Sequence, residues 1–398
     1  MRAHLKRPEN WPGYGYTRVA FMGHALLPGV LSSELISNSL RAVGLDWPAP
    51  NEHPGFIRWL SFPVIAPPNS GGRNVWVDFY VVPVYAPRFF KAIQSNEAYG
   101  WVEAAAEYAI LNDAKASGVD LAIGWGAYTK MATEHGWLFR NRRPELADSP
   151  RVSTTHGDAG SAALTLESVR LSGIKHPRLA IIGAYGAIGS VVSRAAAMVD
   201  PEMILLVGAP DKLGETIKLD KLTEQRRIVE DCVGPHYPVY THQDKSRACL
   251  EHDINVVIVA TGGNMSLKPE DVLPGTLVLD VATPPACSAN NDWSGRMVLG
   301  AGCGQFAQPA QTIIPEGFGN GIWDCGAGGE RVLWGCAGET IARAMFYWKG
   351  HLVGQHIPTE ELAWSLDKFS KMGFVPQPPS FFGKALTWDE VREFCKRK

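Results

Sequence analysis

An α/β fold is predicted, in which a doubly wound parallel sheet is joined by a second α/β substrate domain and a helical C-terminal region. Three features predict it. Residues 178–198 (RLAIIGAYGAIGSVVSRAAAM) run from a branched apolar segment, through glycines spaced by three, into an Ala/Val-rich helical pattern. Behind this stretch, short apolar runs alternate with helical patterns, which is how parallel strands joined by crossover helices read. Ahead of it, the first 150 or so residues repeat an α/β alternation without any nucleotide signal.

In the central stretch, residues 179–182 form the strand. Gly183 permits a tight turn, Gly186 lets backbone approach a pyrophosphate, and Gly189 lets helix and strand pack closely. Phosphates would then sit over a helix N-terminus, where unpaired N–H groups favour anions. The candidate cofactor-binding residues are Gly183, Ala184, Tyr185, Gly186, Ala187, Ile188 and Gly189, on a Rossmann domain. A glycine-rich turn of this kind also occurs for packing alone.

Further strands are expected at 203–207, 237–240, 255–260, 276–281 and 297–299, with a polar helix at 221–233. Ligands of such sheets bind at the carboxyl ends of the strands. That places Thr261, Gly262 and Asn264 of the ATGGN turn near a nicotinamide. The cofactor's ribose is read at the end of the second strand, where an acid suits a free 2′-hydroxyl and a base suits a 2′-phosphate. Here the strand runs into Gly208, Ala209 and Pro210, with Asp211 and Lys212 next. The reading favours NADP (NADPH) with Lys212 as phosphate partner, and Asp211 keeps NAD open.

Ahead of the central stretch, strands are expected at 17–23 and 75–84. An amphipathic helix at 96–117 carries Val102, Ala105, Ala106, Ala109 and Ile110 on one stripe. Residues 120–130 offer a strand and a glycine turn, and the polar stretch 144–158 reads as a junction. A helix at 161–172 leads into the first Rossmann strand. The glycine-rich segment 302–329 is too long for a plain connector, and helices follow at 333–348, 358–372 and 388–396 around a Pro/Phe-rich segment at 375–384. The expected domains are 1–155 (substrate and catalytic), 156–301 (nucleotide-binding) and 302–398 (glycine-rich loop and C-terminal helices).

With 398 residues, 45% hydrophobic and 20% charged, the chain has the composition of an ordinary globular protein. A net charge of −2, with short basic clusters only at 140–143 and 396–398, argues against a nucleic-acid partner. The start lacks an apolar signal core, and no run approaches the ~18 apolar residues of a membrane span. A soluble, cytoplasmic protein is expected. Seven cysteines without a C-x-x-C pair fit reduced thiols, and a metal centre has no support.

A thiolate is the nucleophilic form of cysteine, and a helix N-terminus stabilises it. Cys336 sits beside glycine at an expected helix start, and Glu339 lies on the same helix face, able to position a substrate or relay a proton. Against this stands the ordinary alternative of a small, packed thiol. Cys303 and Cys325 are weaker candidates. His24 and His156, in turn-like contexts, are acid–base candidates, although a lone histidine is more often simply hydrogen-bonded.

With these residues placed, the chain resembles the long-chain acyl-[acyl-carrier-protein] reductases of cyanobacteria and relatives described as predicted amino acid dehydrogenases. The matching pieces are FMGHALL, DFYVVPVYAPRFFKA, GVDLAIGWGAYTKM, THGDAGSAA, LAIIGAYGAIGSVVSR, LVLDVATPP, VLGAG, WGCAGET and KMGFVPQ, in order from about residue 18 to 377. The resemblance implies NADPH-dependent reduction of an acyl thioester, on an acyl carrier protein or coenzyme A, to an aldehyde that another enzyme would consume. It implies that Cys336 carries the acyl group, and it matches Glu339 to a glutamate of the same motif. Gly157, Asp158 and Ser161 resemble a Gly-Asn-x-x-Ser/Thr pattern with Asp158 in place of Asn, and His156 aligns with a histidine of some members.

Three departures stand out: Ala209 near the place of a usual Arg, a longer segment at 302–329, and a tail after 377 without counterpart. Docking of an acidic carrier would fall to Arg41, Arg88, Lys91, Arg140, Arg142 and Arg143. Two other readings stay open. One is an NAD(P)-dependent amino acid or hydroxy-acid dehydrogenase with no covalent step, and the other a non-catalytic nucleotide sensor.

Overall fold

Strands buried on both faces need near-continuous apolar sequence, and most strands of the two large sheets in this protein, one mixed and one all-parallel, are such runs. The computed structural model describes residues 16–25, 56–115, 118–208, 215–261, 267–282, 285–307, 332–354 and 357–396. The chain divides into two compact units. The first comprises Met1–Gly157, Gln305–His356 and Asp367–Val375, and the second Asp158–Gly304, Ile357–Leu366 and Pro376–Lys398.

The sheet of the first unit contains β1 (Thr17–Ala25), β2 (Ile57–Val64), β3 (Val75–Tyr85), β4 (Leu121–Trp125) and β5 (Val152–Thr155), with His351–Leu352 as a two-residue edge beyond β5. The spatial order is edge, β5, β4, β1, β3, β2. Every pairing is parallel except β2 against β3, and β1 is held in register with Val19 beside Val77 and Ala122. All five residues of β4 are buried.

The helix Glu97–Ala109 buries Val102, Ala105, Ala106 and Ala109, the stripe expected from spacing. It ends earlier than its periodicity suggests, because the chain widens into a π-helical turn at Ile110–Lys115. The helix Gly335–Met345 packs on β4 and β1. Its approach is close enough that a Cβ on Gly124 of β4 would stand 2.2 Å from Thr340 Oγ1.

Neither β2 nor β5 was expected from pattern. Strand β5 is the sequence VSTT, polar but wholly buried, and it lies inside the stretch read as a junction. Thr and Val suit strands through their branched Cβ, and here hydroxyls with partners inside the fold allow that burial.

The second unit is the doubly wound sheet. It contains β6 (Arg178–Ile182), β7 (Met203–Val207), β8 (Val239–His242), β9 (Val256–Val259), β10 (Leu277–Asp280) and β11 (Met297–Gly300). Their order is β11-β10-β9-β6-β7-β8, and all are parallel. That order reverses at β6 and β9, the topological switch point of a Rossmann sheet. Strand β8 lies two residues later than predicted. The helices Asp158–Leu171 and Glu215–Val233 begin three and six residues earlier.

The segment 302–398 is not a body of its own, in contrast to the expected third domain. Its elements are divided between the two units, since each needs a sheet or helix to cover. Helix Gly335–Met345 and the edge strand complete the first sheet. Helix Trp388–Cys395, capped by Thr387 and Glu390, belongs to the second unit, where Arg392 donates to the Leu171 carbonyl at 3.2 Å. The tail after 377 is therefore structured. Among the described residues no helix is long and apolar enough to cross a membrane.

Candidate active site

Helix Gly335–Met345 starts where Trp334 leaves β-type backbone (φ −60°, ψ 144°), and an indole has no oxygen with which to cap the first amides. Cys336 lies in that first turn and is half-buried. Against it packs the chain leaving β5. Gly157 has φ +72°, and a Cβ there would fall 2.3 Å from Cys336 Cβ and 2.4 Å from its Cα. Only glycine fits this contact. Cys336 is tied down on its other side by Thr340, whose hydroxyl donates to the Cys336 carbonyl at 2.8 Å.

Behind the thiol runs a buried polar chain. Thr155, the last residue of β5, donates through Oγ1 to Glu339 Oε1 at 2.6 Å, and the same hydroxyl accepts the Gly157 N–H at 3.1 Å. Arg343 Nε donates to Glu339 Oε1 at 2.8 Å, with the two side chains 1% and 0% exposed. The guanidinium lies 3.8 Å from the centre of the Trp348 ring. Glu339 is thus fully buried and engaged with its own protein. His156 is also fully buried. Its ring meets that of His135 edge-on, with centroids 5.4 Å apart, and His135 is held in left-handed backbone (φ 56°).

The sequence singled out Cys336, Glu339 and the 156–157 segment, and in the structure Gly157 packs on Cys336 while Thr155 links Gly157 to Glu339. It missed Thr155, Arg343 and His135. Arg343 falls four residues after Glu339, an ion-pair spacing on a helix that could have been noticed. Nothing in a strand of polar residues signals Thr155.

His24 is 5% exposed, stacks on Phe89 and Tyr128, and accepts the Tyr128 N–H at 3.4 Å. It is a packed histidine. Burial counts against three other thiols as nucleophiles. Burial pushes Cys249 up to about 12 and Cys395 up to about 11, while Cys287 is raised by burial and by Asp280. Cys303 is half-buried like Cys336, but it lies on a strand, Cys303–Phe306, and not at a helix start. Cys325 lies outside the described residues.

Arg140 and Arg143, two of the cations expected to dock a carrier, are paired within the fold. Arg143 pairs with Glu107 at 3.0 Å and Glu145 at 2.7 Å, and Arg140 with Asp148 at 2.9 Å. Arg142 lies over the Tyr99 ring at 4.6 Å. Arg41 lies outside the described residues.

In the second unit Gly183 makes the tight turn and Gly189 the close helix contact that their spacing predicts. Gly183 has φ +85°, and a Cβ there would meet the Ala260 carbonyl oxygen at 2.7 Å. Gly186 is the N-cap of helix Ala187–Arg194, and its carbonyl accepts the Ser190 N–H at 2.8 Å. A Cβ on Gly189 would lie 2.1 Å from the Gly183 carbonyl oxygen, so helix and turn touch through glycine. Ala184 is buried in the turn, while Ala187 and Ile188 open the helix half-exposed. The Tyr185 ring occupies the space over Gly208, at 2.6 Å from where a Cβ would be.

Thr261 follows β9. Its hydroxyl is buried and has no partner among the described residues, and its methyl lies 3.2 Å from the Cβ position of Gly183. A bare backbone cradle, an open helix N-terminus and an unpaired hydroxyl beside them suit the pyrophosphate of a dinucleotide. Lys212, Gly262 and Asn264 lie outside the described residues, as do Ala209 and Asp211.

Asp280, at the end of β10, accepts the N–H groups of Ala282, Ala286 and Cys287 at 2.8–3.0 Å. Burial raises its carboxyl above the usual range. It fastens the loop after β10, a role not evident from the sequence.

No protein-family model and no curated protein matches the chain. Among solved structures it is similar to quinate dehydrogenase from Corynebacterium glutamicum in complex with NAD, with 11% identity over 95% of this chain and 98% of that one and a TM-score of 0.36. It is also similar to shikimate 5-dehydrogenase from Listeria monocytogenes in complex with shikimate and NAD, with 13% identity over 73% and 90% and a TM-score of 0.32. A third is 2R,3R-butanediol dehydrogenase from Bacillus subtilis, with 17% identity and a TM-score of 0.26. The match covers 36% of this chain and 40% of that one. Likenesses of this size carry no argument about activity, and the fold assignment stands on the strand order and glycine geometry above.

Proposed function

We propose that the protein is an NAD(P)H-dependent oxidoreductase that reduces an acyl thioester, on an acyl carrier protein or coenzyme A, to an aldehyde through an acyl group held on Cys336. The observation that carries this reading is the setting of that thiol. It lies half-buried in the first turn of a helix without a side-chain cap and is pressed against backbone glycine.

Partial positive charge at the helix start favours the thiolate. The sulfur bonds to the thioester carbonyl carbon as the carbonyl π electrons move onto oxygen. The amides of the first turn supply donors for that oxyanion. Its collapse restores the carbonyl and breaks the bond to the carrier sulfur, which leaves as a thiolate and takes a proton from water, and the acyl group stays on Cys336. The buried Glu339–Arg343 pair and Thr155 hold the helix start in place during this exchange.

Gly183, Ala184, Gly186, Ala187, Ile188 and Gly189 would hold the dinucleotide, with Thr261 beside them. When bound in its reduced form, the cofactor supplies the hydride that turns an acyl group into an aldehyde. The preference for NADP, with Lys212 at the 2′-phosphate, rests on the lack of an acid at Val207 and Gly208.

The test is intact-mass spectrometry after incubation with acyl-coenzyme A and acyl-carrier thioesters, without NADPH. A mass gain of one acyl group on Cys336, absent in Cys336→Ala, is expected, followed by thioester-dependent NADPH oxidation. No adduct, together with NADPH oxidation by keto or imino acids, would replace this reading with a dehydrogenase that makes no covalent intermediate.

A further inference from the structure

We infer that Thr155 is a positioning residue for the Cys336 thiol, acting through the Gly157 backbone and the buried Glu339 carboxylate. The inference deepens the proposed use of Cys336 and rests on it. Its geometry is a closed loop of contacts inside the first unit. Cys336 and Glu339 are joined by one turn of helix. Glu339 Oε1 takes the Thr155 hydroxyl proton at 2.6 Å, Thr155 Oγ1 takes the Gly157 N–H at 3.1 Å, and Gly157 packs on Cys336.

One hydroxyl therefore joins the strand end to the helix that carries the sulfur, donating to one side and accepting from the other. No residue other than Thr or Ser could do both at this position, because a branched or short apolar side chain lacks the oxygen and a longer polar one exceeds the space. Thr155 itself is 1% exposed, so water has no access to replace the lost bonds. Without the hydroxyl, the Gly157 amide loses its acceptor and Glu339 loses a donor. The φ +72° turn at Gly157 then has less to hold it against the helix start. The thiol's direction and its distance from the first-turn amides depend on that contact. A short bond to a buried carboxyl that also pairs with Arg343 is of the strong kind, so the effect on the thiol should be measurable.

The experiment is alkylation by iodoacetamide, with the rate at Cys336 read by peptide mass spectrometry in the full chain. Because no acyl substrate is involved, a failure of the acyl-transfer reading leaves this measurement intact. Thr155→Val, nearly isosteric, should slow Cys336 alkylation about tenfold, the scale of one lost charge-assisted hydrogen bond. Thr155→Ser, which keeps the oxygen and drops the methyl, should stay within about twofold of the parent.

Equal loss in both variants would mean that packing alone matters and would overturn the proposal, as would an unchanged rate in Thr155→Val. Should the valine protein fail to fold, hydrogen exchange of the Gly157 amide in the parent decides. Protection like that of the β5 amides is expected, and exchange at loop rates would overturn the proposal.

Discussion

Replacing Gly157 by alanine sets two costs on one methyl group. The residue has φ +72°, and an L-residue in left-handed backbone costs about 1–2 kcal/mol. The new Cβ would also lie 2.3 Å from Cys336 Cβ and 2.8 Å from its carbonyl oxygen. These atoms belong to helix and cannot swing aside, and overpacking of this kind costs about 1–3 kcal/mol. The smaller entropy of the unfolded alanine chain returns about 0.4–1 kcal/mol, which leaves a net loss of about 1–5 kcal/mol. Gly71 supplies the control, with φ +74° and nothing within 4 Å of its Cβ position. Gly71→Ala therefore carries only the backbone cost. Urea unfolding of both variants isolates the overpacking as their difference, and iodoacetamide labelling reports whether Cys336 has moved. If the two variants lose the same stability and Cys336 labels at the parent rate, the strand end does not press on the thiol as described.

Three further outcomes follow from the structure. Glu339→Ala leaves Arg343 buried without its carboxylate and should cost about 3–5 kcal/mol, read as a fall in urea midpoint, whereas Glu339→Gln keeps an acceptor and should lose less. Gly189→Ala places a methyl 2.1 Å from the Gly183 carbonyl oxygen, forcing helix Ala187–Arg194 away from the turn. Binding of a nicotinamide dinucleotide, followed by fluorescence titration, should weaken at least about tenfold, on the scale of a misplaced phosphate cradle. His351 is held below its usual 6.5, chiefly by burial and then by Arg140, with Asp148 opposing. The unfolded chain therefore takes up this proton first, so the contribution of neutral His351 is intact above about pH 6.5 and is lost as pH falls toward the folded value. The urea midpoint should drop between about pH 7.5 and pH 5.5 by more in the parent than in His351→Gln.

The legible parts of the molecule are those where one local rule decides the outcome. The runs 179–182 and 203–207 are apolar because both faces of a parallel sheet are covered, and their strands fall within a residue of expectation. The tight turn at Gly183 and the contact of Gly189 with it are made within a few residues and so show in their spacing, whereas the approach of Gly183 to Ala260 does not. Cys336 was visible as a helix-start thiol for the same reason. What stayed hidden depends on partners far along the chain. Strand β5 is polar, and its burial makes sense only once Glu339, 184 residues later, receives the Thr155 hydroxyl. The segment 302–398 has clear helices, but their periodicity does not say which sheet each will cover. The ribose end of the cofactor site turns on Lys212, which lies outside the described residues.

The first unit is assembled from pieces that flank the whole Rossmann segment. During synthesis, β1 to β5 emerge well before helix Gly335–Met345, which covers part of their sheet. About 180 residues separate Gly157 from that helix, a delay of roughly ten to forty seconds at ribosomal speeds. For that interval the apolar surface of β1 and β4 awaits its cover, while the intervening nucleotide-type segment has all its strands and can close. Chaperone dependence in the cell should therefore trace to the early sheet, and chains halted near residue 304 should be the species that aggregate.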